Sequence, residues 1–353
     1  MTAPGTPPKG RGTGSNPKNR FTAVSYELIA EEAEPGRPVP TRYYRDRSKS
    51  VLARNESPDI GFTYDLNPYR GCEHGCIYCY ARPTHEYLGF SAGLDFETRI
   101  MVKQNAAELL EKELMSPRWG PQVIAVGGNT DCYQPVERTL GITRRCIEVL
   151  LKYRNPFSII TKNQLITRDI DLLQDLARQR LLACTVTVTT LDRELQRRME
   201  PRTAPPDVRL ETIRRLAEAD IPVDVNIAPV IPGLNDSEIP AILRRAREHG
   251  ATRAHWIMLR LPHGVKDLFV EWLRREYPDR AERVLNRIRE VRDGGLTDAA
   301  FGSRMRGAGE MAESIRQLFD VTAAKYGYVT EKRGLRTDLF RGPHDSQMSL
   351  TFE

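Results

Sequence analysis

From Phe62 to Arg260, short apolar runs alternate with longer amphipathic stretches. The runs occupy residues 62–66, 100–103, 123–126, 157–160, 182–189 and 223–230, and a seventh lies at 254–259. Short continuous runs bounded by turn residues predict buried strands. Between them, residues 105–115, 137–153, 169–179, 206–219 and 237–248 carry apolar positions at helical spacing. In the second of these stretches, Ile142, Cys146, Val149, Leu150 and Tyr153 fall on one face. Strands of this buried type alternating with helices predict a parallel sheet covered by helices. The six units imply an α/β fold, a partial (β/α)6 barrel over residues 41–260, open on one side and extended by the seventh run. In such barrels the chemistry gathers where strands end and loops begin.

Past Arg260 the strand pattern stops. Residues 268–277, 280–292 and 310–326 read as helices of a C-terminal extension over 261–332, able to close the open side of the barrel. A glycine-rich basic link, Phe301-Gly-Ser-Arg304-Met-Arg306-Gly-Ala-Gly309, joins the last two. Residues 1–40 are rich in Pro, Gly, Lys and Arg, and predict a disordered basic tail with no signal-peptide core. Residues 333–353 predict a flexible tail.

Charge adds little to this picture. A net charge of +6 is compatible with a polyanionic partner such as nucleic acid, and only weakly points to one. No apolar run is long enough to cross a bilayer, so a cytoplasmic protein without a membrane partner is expected. With 6 cysteines in 353 residues and no secretory signal, a disulfide framework is not expected.

The cysteines change the picture more. Asn67-Pro-Tyr-Arg-Gly-Cys72-Glu-His-Gly-Cys76-Ile-Tyr78-Cys79-Tyr80 places three of them at C-x3-C-x2-C spacing after the first predicted strand. Gly71 and Gly75 allow that loop to fold tightly. Three thiolates are one short of a closed structural zinc site. They suffice for a 4Fe-4S cluster with one iron left open. The alternative is a zinc knuckle recruiting His74 or His85.

The spacing, with an aromatic residue before the third cysteine, resembles the radical S-adenosylmethionine (SAM) superfamily. The resemblance implies a 4Fe-4S cluster on Cys72, Cys76 and Cys79, SAM bound at the open iron, and an electron donor such as flavodoxin or ferredoxin. It also gives roles to the polar strand ends. Gly127-Gly128-Asn129-Thr130-Asp131, after the third run, occupies the place of the motif that binds the methionyl amino group. Lys162, after the fourth, is expected to pair with the methionyl carboxylate. Thr190, after the fifth, suits the ribose, and Val230, at the end of the sixth, lines the adenine.

Within that superfamily, Tyr78-Cys79-Tyr80, Thr161-Lys162, Glu200-Pro-Arg-Thr203, Arg209-Leu210 and Ala228-Pro229 resemble the spore photoproduct lyase family and its bacterial relatives. The resemblance implies that Tyr78 and Tyr80 lie beside SAM and take part in returning a hydrogen atom, with Tyr78 the catalytic candidate. It also implies DNA repair or base modification of lyase type. One departure matters. The lyases' hydrogen-donating cysteine falls at Gly128 here, and a different cysteine, Cys132, follows just past the strand end. Cys132 can serve as an alternative donor or be a passive loop thiol. Second readings keep the radical and change the substrate to a peptide or small molecule, or reduce the chain to an iron–sulfur redox protein.

The chain ends Gln347-Met-Ser-Leu350-Thr-Phe352-Glu353. This resembles the short peptides by which bacterial polymerases and repair factors bind the sliding clamp, with Leu350 and Phe352 entering an apolar pocket.

Overall fold

A computed structural model describes residues 7–21, 39–331 and 333–342. Six parallel strands lie side by side in chain order: Tyr64–Leu66, Ile124–Val126, Phe157–Thr161, Leu182–Thr187, Val223–Val230 and Arg253–Met258. They are called the first to sixth barrel strands below. Leu52–Arg54 adds an antiparallel strand outside the first. The result is the expected partial (β/α)6 barrel, with a C-terminal helical extension.

The membership of the barrel differs from the sequence expectation. Arg99–Val102 is not a barrel strand; it pairs with Arg42–Arg45 and Tyr69–Arg70 in a separate small sheet. The run expected as a seventh strand is the sixth. Accordingly Gly127 follows the second barrel strand, Lys162 the third, Thr190 the fourth, and Val230 ends the fifth. An apolar run cannot reveal which sheet it joins, because burial in either sheet demands the same composition.

Helices cover the outer face. Ala106–Leu114, Ile142–Lys152, Ile170–Arg178, Pro206–Glu218 and Ile239–Glu248 bury residues three and four apart, such as Ile142, Cys146 and Leu150, or Leu210, Ile213 and Leu216. Each fully buried leucine or isoleucine contributes roughly 1.5–3 kcal/mol of transfer free energy. The helix expected over 137–153 is two, Glu137–Leu140 and Ile142–Lys152, because Gly141 adopts a left-handed φ of 61° between them. The short helix Arg193–Met199, capped by the Asp192 side chain, carried too little periodicity to be expected.

The extension packs onto the cysteine loop. Leu268, Phe269 and Trp272 of Val265–Glu276 and Leu285 and Ile288 of Ala281–Glu290 share a core with Ile77 and Tyr78. The basic link spans the open side. Arg306 donates to the Trp256 carbonyl on the sixth strand at 2.8 Å. Gly302 and Arg304 bind Asp59, in the turn between the two strands at the opposite edge.

Two segments expected to be loose are ordered where they are described. Arg11 and Thr13 are buried. Arg11 donates to the Glu97 carbonyl at 2.8 Å, and Arg20 pairs with Glu86 at 2.7 Å. Composition missed this strap because its anchors are hydrogen bonds, which leave no apolar pattern. Residues 333–342 run back along the barrel, with Arg333 binding the Pro222 carbonyl and Arg341 the Tyr153 carbonyl. The peptide Gln347 to Phe352 lies outside the described residues.

Candidate active site

Cys72, Cys76 and Cys79 are all free thiols, the first two buried and the third partly so. Left-handed glycines shape their loop. A Cβ on Gly71 would stand 2.9 Å from the Phe96 carbonyl, and one on Gly75 2.8 Å from Glu97 Oε2, so neither position accepts a side chain without movement. Behind the loop, Arg82 is fully buried. It donates to the carbonyls of Cys76, Ala92 and Gly93 at 3.0–3.2 Å and pairs with buried Glu97 at 2.6 Å. Glu97 in turn accepts from the Gly12 amide of the N-terminal strap at 2.9 Å.

Burial pushes all three thiols up from their ordinary values, so three thiolates there require a compensating cation. A single zinc ion does not match the placement. Among the described residues, no three His, Cys, Asp or Glu converge on a point that one metal ion could occupy. Of the two candidate fourth ligands, His74 is paired elsewhere. His74 Nδ1 faces Asp131 at 3.3 Å, and His85 packs between Phe90 and Phe96. A cuboidal cluster binds each thiolate at a different iron, so it needs no such convergence. The donor set fits that group.

The tip of the second barrel strand is fastened to the same loop. Tyr80 donates its hydroxyl to the Gly128 carbonyl. The Asn129 and Thr130 amides donate to Asn67 Oδ1 at 3.0 and 3.3 Å, and the Thr130 hydroxyl donates to the Tyr69 carbonyl. Asp131 accepts from Thr161 at 2.7 Å and from the Lys162 amide at 2.8 Å. Burial alone would raise its pKa. His74, the Lys162 amide and the Thr161 hydroxyl outweigh that and hold it at about 2. Thr130 and Asp131, expected as cofactor contacts, thus hold two loops together. Gly127 has a φ of 86° and Gly128 lies against Asp65, 2.8 Å from where its Cβ would be.

Lys162 extends toward the cysteine loop, its Nζ 5.9 Å from the Tyr78 ring centroid, with no ion pair among the described residues. Tyr78 is buried and donates to Glu200. Glu200 also accepts from Thr189 at 2.7 Å and pairs with buried Arg209. Burial favours a neutral Glu200, but Arg209 first, then Lys162 and Tyr78, reverse this and lower its pKa. The structure therefore brings together the three thiols, Tyr78, Tyr80, Gly128 and Lys162.

Others expected here are placed differently. Thr190 donates to Glu238 at 2.6 Å, and Val230 is fully buried. Cys132 is 0% exposed, in the main hydrophobic core with Cys146 and Cys184. Its Sγ lies 3.2 Å from where a Cβ on Gly127 would be, and of its two readings this burial supports the passive thiol. Sequence reasoning did not assign roles to Arg82, Glu97, Glu200 or Arg209, and read His74 only as a possible zinc ligand. Only Glu200 and Arg209 carried a signal, in the Glu200-Pro-Arg-Thr203 and Arg209-Leu210 matches.

The Radical SAM superfamily model matches residues 66–246. An uncharacterized protein of Mycobacterium tuberculosis is 38% identical over 248 residues, covering 69% of this chain and 71% of its own length. An uncharacterized protein of Methanocaldococcus jannaschii is 28% identical over 178 residues, covering 50% and 64% respectively. Among solved structures, spore photoproduct lyase complexed with dinucleoside spore photoproduct superposes with a TM-score of 0.57 at 14% identity, over 81% of this chain and 80% of that one. A lyase variant with bound AdoMet and the same dinucleoside gives a TM-score of 0.56 over the same shares.

Proposed function

This chain belongs to the radical SAM superfamily, and from that premise we propose that it cleaves S-adenosylmethionine reductively at a 4Fe-4S cluster and acts on a nucleic acid. The observation that carries this reading is the set of three free thiols in one loop, facing a Lys162 ammonium that has no ion pair among the described residues. Such a cluster, when bound, supplies the electron that breaks the sulfonium bond of SAM to give methionine and a 5′-deoxyadenosyl radical.

The residues of the chain do the positioning. Cys72, Cys76 and Cys79 would hold the cluster, to which SAM would bind. Lys162 is the cation for the methionyl carboxylate, and the glycine-rich strand tip at Gly127 and Gly128 lets backbone approach the methionyl amine. Tyr78 is held still by Glu200, and Glu200 is kept anionic by Arg209. Neither tyrosine hydroxyl is free, since Tyr80 is tied to Gly128. Both tyrosines are therefore read as walls of the cofactor site. Trp272, Phe269 and Leu268 cover the far side of the loop and exclude water from it.

Nucleic acid as substrate rests on the likeness to lyase structures holding a dinucleoside photoproduct and on the positive net charge. Anaerobically reconstituted protein, reduced with dithionite, is expected to form 5′-deoxyadenosine. With deuterated oligonucleotides containing modified bases, mass analysis is expected to find deuterium in that product. Turnover without deuterium transfer from any oligonucleotide, but with transfer from a peptide, would move the substrate class to peptides.

A further inference from the structure

The rim where the sixth barrel strand ends carries cations that the cofactor site does not use. Arg260 stands two residues beyond Arg253–Met258. Its guanidinium lies over the Tyr80 ring, 5.5 Å from the centroid, and Tyr80 is bonded to the tip of the second strand. Arg260 is therefore above the proposed cofactor site. Its polar partner among the described residues is the Met305 sulfur at 3.4 Å, and no carboxylate lies within 4 Å of it. A sulfur is a weak acceptor, so the charge is poorly compensated. Burial, then neighbouring Arg304, lower its pKa.

The surroundings add positive charge and an aromatic face. Arg304 is neutralised by Asp59, whereas Arg306 stacks on Trp256 at 4.6 Å and, among the described residues, has no carboxylate in contact. Phe301 is 61% exposed and carries the Arg304 guanidinium on one face at 4.4 Å. The arrangement is rigid, because buried Arg292 binds the carbonyls of Leu259, Ser303 and Arg304 and so fixes the link to the strand end. Asp59, already bound to Arg304, offsets the Arg260 charge only from beyond contact distance, and a half-buried cation of this kind becomes favourable when an anion completes it. The Arg260 guanidinium, near Arg304 and through it near the exposed Phe301 ring, suits a phosphate diester with its adjacent base.

We propose that Arg260 binds a backbone phosphate of a single-stranded or unstacked nucleic-acid substrate, and that Phe301 stacks on the neighbouring base. This inference rests on the nucleic-acid reading above and assigns it a place on the molecule.

The test uses the full-length, cluster-reconstituted protein and a short fluorescein-labelled single-stranded DNA, followed by anisotropy across a salt series. Arg260→Gln is expected to weaken binding about tenfold and to lower the slope of log affinity against log salt by about 0.7. Arg260→Lys is expected to restore the slope. Phe301→Ala, a surface change, is expected to weaken binding about tenfold with the slope unchanged. SAM affinity of the same proteins is expected to stay at the wild-type value. Wild-type binding that survives Arg260→Gln and Phe301→Ala overturns this inference alone. Loss of SAM affinity in Arg260→Gln, with DNA binding intact, reassigns the arginine to the cofactor. If the wild-type protein does not bind the DNA, this inference and the nucleic-acid reading fall together. Should Arg260→Gln melt early, Arg260→Lys and Phe301→Ala decide the outcome.

Discussion

The Arg82–Glu97 pair is the most exacting test of how the cysteine loop is held. Both side chains are fully buried, and they meet at 2.6 Å. Glu97→Ala removes the only carboxylate paired with that guanidinium among the described residues, leaving a buried charge. Breaking such a pair from one side costs about 3–5 kcal/mol. The Gly12 amide also loses its acceptor, adding about 1 kcal/mol. Arg82→Ala is costly as well, since three carbonyls lose a donor. The double variant, however, no longer carries a stranded charge. The cycle of urea-unfolding free energies should therefore show a coupling of about 2–3 kcal/mol between the two positions. Additive costs, agreeing to within about 0.5 kcal/mol, would refute the claim that this pair acts as a unit. Because Arg82 holds the Cys76 carbonyl, Glu97→Ala should also reduce the iron bound after reconstitution.

Other changes test other parts of the account. His85 is buried between Phe90 and Phe96, and burial lowers its pKa to about 4. The unfolded chain takes up that proton near pH 6.5, so stability is complete above that pH and falls by roughly 3 kcal/mol as pH drops to about 4. His85→Phe should flatten the pH dependence in that window, measured by unfolding at each pH. Gly75→Ala forces a side chain into a left-handed position 2.8 Å from Glu97; a loss of about 2 kcal/mol and lower iron loading are expected, read by melting and iron analysis. Cys132→Ala should cost about 1 kcal/mol of stability and leave 5′-deoxyadenosine formation unchanged. Loss of turnover in a stably folded Cys132→Ala would restore that thiol as a hydrogen donor.

The legible parts of the chain share a physical cause. Helices such as Pro206–Glu218 and strands such as Val223–Val230 are periodic or continuous in apolar residues, because one face or both are buried. The cysteine loop was legible because thiolates at that spacing have few other uses. The opaque parts depend on partners distant in sequence. Arg11 and Gly12 reach Glu97 across more than eighty residues, and Asp59 reaches Arg304 across 245. Glu97 reads as one more surface acid until Arg82 is seen against it. Asp131 read as a cofactor contact because its place in the chain was right, yet its carboxylate faces His74, Thr161 and Lys162. Strand order had the same limit, since the run at 100–103 looks like any barrel strand.

The central claim is most directly tested by electron paramagnetic resonance of the anaerobically reconstituted, dithionite-reduced protein, recorded with and without SAM. About four irons per chain are predicted, with the signal of a reduced 4Fe-4S cluster that shifts when SAM is added and disappears in Cys72→Ala, Cys76→Ala and Cys79→Ala. A signal that ignores SAM, or that survives the three substitutions, would contradict it.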